Sequence, residues 1–248
     1  MSNVRFRPVS GFPPIVKNLI IINALVYLAQ ITLDKQYDLT NKLAMWPLMP
    51  EKLHQFLTQA SIPVEPFQPY QVATHLFTHS PLSSEIGIFH ILFNMFALYM
   101  FGRVLENVWG PKRFLIFYIA SGLGAAALHL GMQYYRCYEL LQAIETNNAA
   151  GMAKNFGAIG PAMGASGAIM GILAAFAYLF PNTELIILPI PFPIKAKWAV
   201  LAYALIDLFA GFGNFKGDNI AHFAHLGGAI TGFIIVYIWN KTNRRTLY

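Results

Sequence analysis

Six stretches of this sequence, 15–33, 88–104, 114–133, 157–180, 198–212 and 220–239, are predominantly apolar. Each approaches the length a helix needs to cross a bilayer, about 20 residues. In hydrocarbon the backbone must satisfy its own hydrogen bonds, which a helix does within one segment. The expected fold is therefore an all-α membrane protein, a bundle of six transmembrane helices. Composition agrees. Of the 248 residues 56% are hydrophobic and 11% charged, against roughly 25% charged in a soluble domain. A cytosolic enzyme and a disordered chain are excluded. With Cys137 as the only cysteine, so is an intramolecular disulfide scaffold.

The segments between the runs set the organisation. Residues 1–14 read as a short cytoplasmic segment, 15–240 as one six-span domain, and 241–248 as a basic cytoplasmic tail. Arg5 and Arg7 precede the first run. No small-residue cleavage site follows it, so it reads as a span and not as a removed signal. The long loop 34–87 is broken by Pro47, Pro50, Pro63, Pro66, Pro69 and Pro81, yet carries Trp46, Phe56, Phe67, Tyr70 and Phe77. It is expected to lie partly embedded at the membrane interface. Six spans put both termini on one side. That side holds eleven of the 17 Lys and Arg residues, including Arg103, Lys112, Arg113, Lys195 and Lys241, while Lys35, Lys42, Lys52, Arg136, Lys154 and Lys216 fall opposite. The positive-inside rule makes the richer side cytoplasmic, and a bacterial plasma membrane is the expected location. The formal charge of +6 is accounted for by these flanking residues, with no nucleic-acid partner implied.

Polar groups inside spans are costly and mark function by default. Ser166 lies in the fourth run among Gly160, Gly164, Gly167 and Gly171, whose spacing puts small residues on one helical face, a close-packing surface. Taken alone, such a serine is more often a packing residue. Gly160-Pro161 before it suggests a helix starting near Gly164, where unpaired N–H groups favour an anion. His225, Gly228 and Gly232 share a face of the sixth run, so His225 can approach a glycine-rich partner such as the fourth. A serine beside a histidine is the minimal nucleophile and base; an interhelical hydrogen bond is the plainer use of such a histidine. His222 is an alternative base without the glycines. His90 and Asn94, four apart on the second run, project from one face. They are potential oxyanion donors, or else a clamp between helices. His75 and His79 repeat that spacing in a segment expected to be irregular. A metal site is disfavoured, because there is no H-E-x-x-H and the carboxylates are poorly placed. Glu106 and Asp207, the acids in or beside spans, fit either proton relay or bundle packing.

Together these residues resemble the rhomboid family of intramembrane serine proteases. His90-Ile91-Leu92-Phe93-Asn94 is similar to its H-x-x-x-N motif, Gly102 through Glu106 to Gly110, Arg113 and Tyr118 to its next conserved run, Gly164-Ala165-Ser166-Gly167 to G-x-S-G, and Ala224-His225-Leu226-Gly227-Gly228 to A-H-x-x-G. The resemblance spans 70–239. It implies Ser166 as nucleophile and His225 as base in a catalytic dyad without a third member. His90, Asn94 and the Ser166 N–H would form the oxyanion site, and Glu106 would be structural. Cofactors and metals would be absent, and the substrates would be membrane-anchored proteins cut in or near their transmembrane segments. Two departures stand out: Tyr70-Gln71 replaces a Trp-Arg pair, and Met170 replaces an aromatic residue expected to stack on the histidine. A catalytically inactive rhomboid-like client binder and a small-solute transporter are the competing readings. Both Ser166 and His225 are retained, against the first; no inverted repeat is visible, against the second.

Overall fold

The computed structural model describes residues 12–84, 87–187, 192–212 and 221–242, and it is mostly helical. Helix α1 runs from Pro14–Tyr37 with proline in its first turn, where the missing N–H costs nothing. The Glu106 carboxylate accepts the next two amides, Ile15 N–H at 2.9 Å and Val16 N–H at 2.8 Å. Four amides are orphaned at any helix start, so this buried acid caps α1 from a distant part of the chain. Of the two roles open to Glu106, the structure assigns packing.

The long loop is built of short pieces: α2 (Leu39–Leu43), α3 (Glu51–Gln59), α4 (Gln71–Thr74) and a 3₁₀ turn His75–Phe77. It is fastened at both sides. Met45 and Ala162 exchange two backbone hydrogen bonds of 2.8 Å, which sets the loop beside the residues leading into Ser166. Leu53 and Leu57 of α3 are buried against Cys137, Leu140, Ala158 and Ile159.

Helix α5 (Gly87–Ala97) continues through a π-helical segment, Leu98–Gly102, into α6 (Arg103–Trp109). Gly110, at φ 79°, makes the turn into α7 (Pro111–Glu145), a 35-residue helix. Then come α8 (Ala149–Asn155), α9 (Ser166–Leu179), a two-residue antiparallel pairing of β1 (Glu184–Leu185) with β2 (Ile194–Lys195), α10 (Ala196–Phe212) and α11 (Ala221–Thr242).

Two expectations are corrected. The fourth run is not helical from 157: a 3₁₀ turn Phe156–Ile159 and an extended segment precede α9, which starts at Ser166. The stretch 134–155, expected as a polar connector, is helical to Glu145 because Gln133, Cys137, Leu140 and Ala143 carry the buried stripe of α7 onward. Arg5, Arg7, Lys216, the residues after Thr242 and the expected start of the sixth run at 220 lie outside the described residues.

Among the described residues four helices are long and apolar enough to cross a membrane: Pro14–Tyr37, Gly87–Trp109, Pro111–Glu145 and His222–Thr242; Ser166–Leu179 is apolar but shorter. Their outward faces carry Leu25, Phe93, Ile116 and Ile234 in the open, which suits lipid and not water. Inside, α9 and α11 meet along glycine. A Cβ on Gly232 would sit 2.5 Å from Gly171 Cα, and one on Gly228 would overlap the Gly167 carbonyl. Close backbone approach of this kind is how membrane helices associate. Helix α7 closes the other side, with Ser121 against Gly171 and Ala125 against Gly167.

Candidate active site

Ser166 is the first residue of α9, and the chain enters it through Gly164 at φ 118°. An L side chain rarely adopts that conformation. A Cβ there would also press within 2.7 Å of His90 Nε2. Gly164 N–H donates to the His75 carbonyl at 2.8 Å, so the loop holds the approach to the serine. The helix start leaves Ser166 N–H among the unpaired amides of the first turn.

The glycine seam brings α11 close enough for His225 to reach the serine. His225 Nε2 lies 2.9 Å from Ser166 Oγ. The other ring nitrogen, Nδ1, faces Asp207 of α10, at 3.4 Å from Oδ1 and 3.2 Å from Oδ2. The same carboxylate sits 2.6 Å from His222 Nδ1. Asp207 is almost fully buried, at 4% exposure. The sequence reading found no third group beside the serine–histidine pair; the structure places a buried acid behind His225. His222 spends its Nδ1 on that acid. Asp207, His222 and His225 present ligand atoms within 4.8 Å of one another, a set the sequence reading did not assemble.

His90 completes the opposite wall. Its Nδ1 accepts from Ser80 N–H at 3.1 Å and faces Ser80 Oγ at 2.9 Å. A backbone amide can only donate, so a neutral His90 must carry its proton on Nε2. That is the nitrogen beside Gly164, one residue from Ala165 and two from Ser166. Asn94 spends one Nδ2 proton on the His90 carbonyl at 2.7 Å and keeps a second. His79 backs His90 edge-on, with ring centroids 5.1 Å apart, and meets Asn23 Oδ1 through Nε2 at 2.8 Å. Burial, then His90, pushes the His79 pKa down to about 3. Neutral His79 thus donates to Asn23 while Gln30 holds its backbone on both sides, N–H at 3.0 Å and carbonyl at 2.8 Å.

All four expected residues, Ser166, His225, His90 and Asn94, line one cavity of about 1230 Å³. Its wall also carries His75, His129, Arg136 and Tyr203. Tyr203 was not singled out from sequence; its ring lies 6.2 Å from that of His225, tilted by 34°. Met170, at the position where an aromatic was expected, is buried with Ala174 and Ala229. An aromatic neighbour for His225 therefore comes from α10 and not from α9. A shared i, i+4 spacing of Tyr203 and Asp207 was the one signal available.

The Rhomboid domain model matches residues 66–242, more than half of the chain. The chain belongs to the rhomboid family. Its relatives include the rhomboid protease AarA of Providencia stuartii, 34% identical over 59% of this chain and 49% of its own length. The rhomboid protease GluP of Bacillus subtilis is 30% identical over 62% of this chain and 24% of itself. Mitochondrial rhomboid protein 1 of Saccharomyces cerevisiae is 29% identical over 63% and 39% respectively. The matched part of the chain thus spans from a quarter to about half of these relatives. Several relatives are mitochondrial by name, so the likeness does not support a bacterial plasma membrane over an organellar one. Integral membrane character is common to both.

Proposed function

We propose that this rhomboid is an intramembrane serine endopeptidase that hydrolyses peptide bonds in or near transmembrane segments of membrane-anchored proteins. The 2.9 Å contact between Ser166 Oγ and His225 Nε2, inside a cavity walled by lipid-facing helices, carries the reading. Six spans are proposed: α1, α5 with α6, α7, α9, α10 and α11. The charge count puts both termini on the cytoplasmic side, or its organellar equivalent, and the loop 34–87 in the opposite leaflet's interface. The cavity then opens away from the cytoplasm.

The chemistry follows from the geometry. Ser166 Oγ attacks the scissile carbonyl carbon as its proton passes to His225 Nε2. The oxygen that gains charge meets His90 Nε2–H, the spare Asn94 Nδ2 proton and Ser166 N–H, donors fixed before the reaction begins. His225 returns the proton to the departing amine as the C–N bond breaks. Water then attacks the acyl carbon as its proton passes to His225, and His225 returns that proton to Ser166 Oγ as the ester C–O bond breaks and the acid leaves. Because the cavity wall carries polar side chains such as His75, Asn94 and His129 among its apolar ones, a substrate helix can unwind there without exposing its amides to lipid, where that is expensive. Substrates with Gly or Pro in the outer part of their span should unwind most readily. The crowding of Gly164 against His90 favours a small residue just before the cut. Retention of the whole donor set weighs against an inactive client binder.

The test is a single-span substrate in liposomes with this protein or its Ser166→Ala variant, cut sites mapped by mass spectrometry. Cleavage near the outer end of the span, absent with Ser166→Ala, is expected. Cleavage that survives Ser166→Ala, or cuts only in a soluble tail, would overturn the proposal.

A further inference from the structure

Helix α10 sends two side chains one turn apart toward a single imidazole. Tyr203 sets its ring 6.2 Å from His225, and Asp207 sets its carboxylate 3.2 to 3.4 Å from His225 Nδ1. Between this acid and Ser166 the imidazole is bonded at both nitrogens. The carboxylate is itself clamped, because His222 Nδ1 approaches Oδ1 to 2.6 Å. Around it α10 is open: Leu205, Ile206 and Phe209 are exposed, so Asp207 is the buried polar residue on that stretch.

We infer that Asp207 is the positioning residue that fixes His225 as a base, making the site a Ser166–His225–Asp207 triad with Tyr203 packed beside the ring. This rests on the serine-protease reading above and deepens it. An imidazole serves as base only if Nε2 is free of a proton, so the neutral ring must carry its proton on Nδ1. A buried carboxylate facing Nδ1 selects that tautomer. It also stabilises the imidazolium formed when Nε2 takes the Ser166 proton, without accepting the proton itself. In serine proteases built this way, replacing the acid by its amide leaves the geometry and costs about 10⁴ in kcat, because the wrong tautomer is held.

His222 has a defined part in this arrangement. Asp207 Oδ1 is shared, 2.6 Å from His222 Nδ1 and 3.4 Å from His225 Nδ1, so His222 sets the carboxylate plane, and Oδ2 lies 3.2 Å from His225 Nδ1. His222 holds the acid, and the acid holds the base. The charged or titratable groups facing the imidazole are then Asp207 and Tyr203 from α10, His222 from its own helix, and His90 across the cavity, with Ser166 from α9.

The experiment compares Asp207→Asn, Asp207→Glu and Ser166→Ala in liposomes, measuring kcat and KM separately. A parallel ¹⁵N NMR measurement reads the His225 tautomer in the folded wild-type protein, assigned by signals lost in His225→Gln. We expect Asp207→Asn to lose at least about 100-fold in kcat with KM changed less than threefold, on the precedent of the amide substitution. Asp207→Glu should recover part of that loss. The His225 ring should carry its proton on hydrogen-bonded Nδ1. Full kcat in Asp207→Asn together with Ser166-dependent cleavage would overturn the inference while leaving the protease reading intact. Cleavage surviving Ser166→Ala would overturn both. Should Asp207→Asn fail to fold, the wild-type NMR decides: a proton on Nε2, or an unbonded Nδ1–H, refutes the role.

Discussion

Adding one methyl group at Gly228 should disable the site without touching any of its polar residues. A Cβ there would overlap the Gly167 carbonyl oxygen and lie 2.7 Å from its carbonyl carbon. Both are backbone atoms of α9, unable to rotate aside. Restoring ordinary contact requires α9 and α11 to part by more than 1 Å on this seam. His225 is three residues before Gly228 on the same face, and Gly167 is the neighbour of Ser166. The separation therefore falls almost wholly on the 2.9 Å contact between base and nucleophile. A misplacement of about 1 Å costs on the order of 100-fold in rate, and overpacking of this kind typically costs about 1–3 kcal/mol of stability. The assay is kcat for the single-span substrate in liposomes, with the unfolding midpoint in detergent measured alongside. Gly131→Ala on α7 is the control, because a Cβ there meets nothing within 4 Å; it should leave kcat unchanged and should not lower the midpoint, since alanine favours a helix interior over glycine. Wild-type kcat in a folded Gly228→Ala would show that this seam does not set the distance between Ser166 and His225.

Asn94→Ala should lower kcat by roughly 10²–10³ with a smaller change in KM, as loss of one oxyanion donor does; full kcat would reduce Asn94 to a tie onto the His90 carbonyl. Ser166→Ala and His225→Ala should each abolish cleavage, and the double variant should be no worse than either, since residues that act as a unit are not additive. Glu106→Ala strands the Ile15 and Val16 amides. It should cost several kcal/mol, at about 1.5–3 per bond to a charged group, read as a lower unfolding midpoint, and an unchanged midpoint would deny the cap. Replacing helix-breaking residues of the substrate by leucine should slow cleavage, and Ala→Phe just before the cut should nearly stop it. Equal rates for all substrates would contradict local unwinding into a crowded site.

The parts of the site that were legible in the sequence are those whose geometry is local. His90 and Asn94 share a face because they are four residues apart on one helix. Ser166 was legible because Gly160-Pro161 and Gly164 end one conformation and begin another, although the helix starts at the serine itself, two residues later than read. His225 was legible through its glycine register with Gly228 and Gly232. Asp207 belongs to no such pattern. Its role depends on how α10 leans on α11, a tertiary fact, and the same holds for Tyr203 standing in for an aromatic at Met170. The long reach of α7 was hidden for another reason. Residues 134–145 are polar in composition, but Cys137, Leu140 and Ala143 keep the helical stripe, and their partners are Leu53 and Leu57 in the loop. Glu106 shows the same limit, since what it caps lies ninety residues earlier in the chain.

The central claim is that Ser166 is a nucleophile activated by His225. The most direct measurement is intact-protein and peptide mass spectrometry after treatment of the folded protein with a serine-directed phosphonate. A single adduct on Ser166, lost in His225→Ala as well as in Ser166→Ala, is the predicted result. An adduct on any other residue, or labelling of Ser166 that is undiminished in folded His225→Ala, would contradict it.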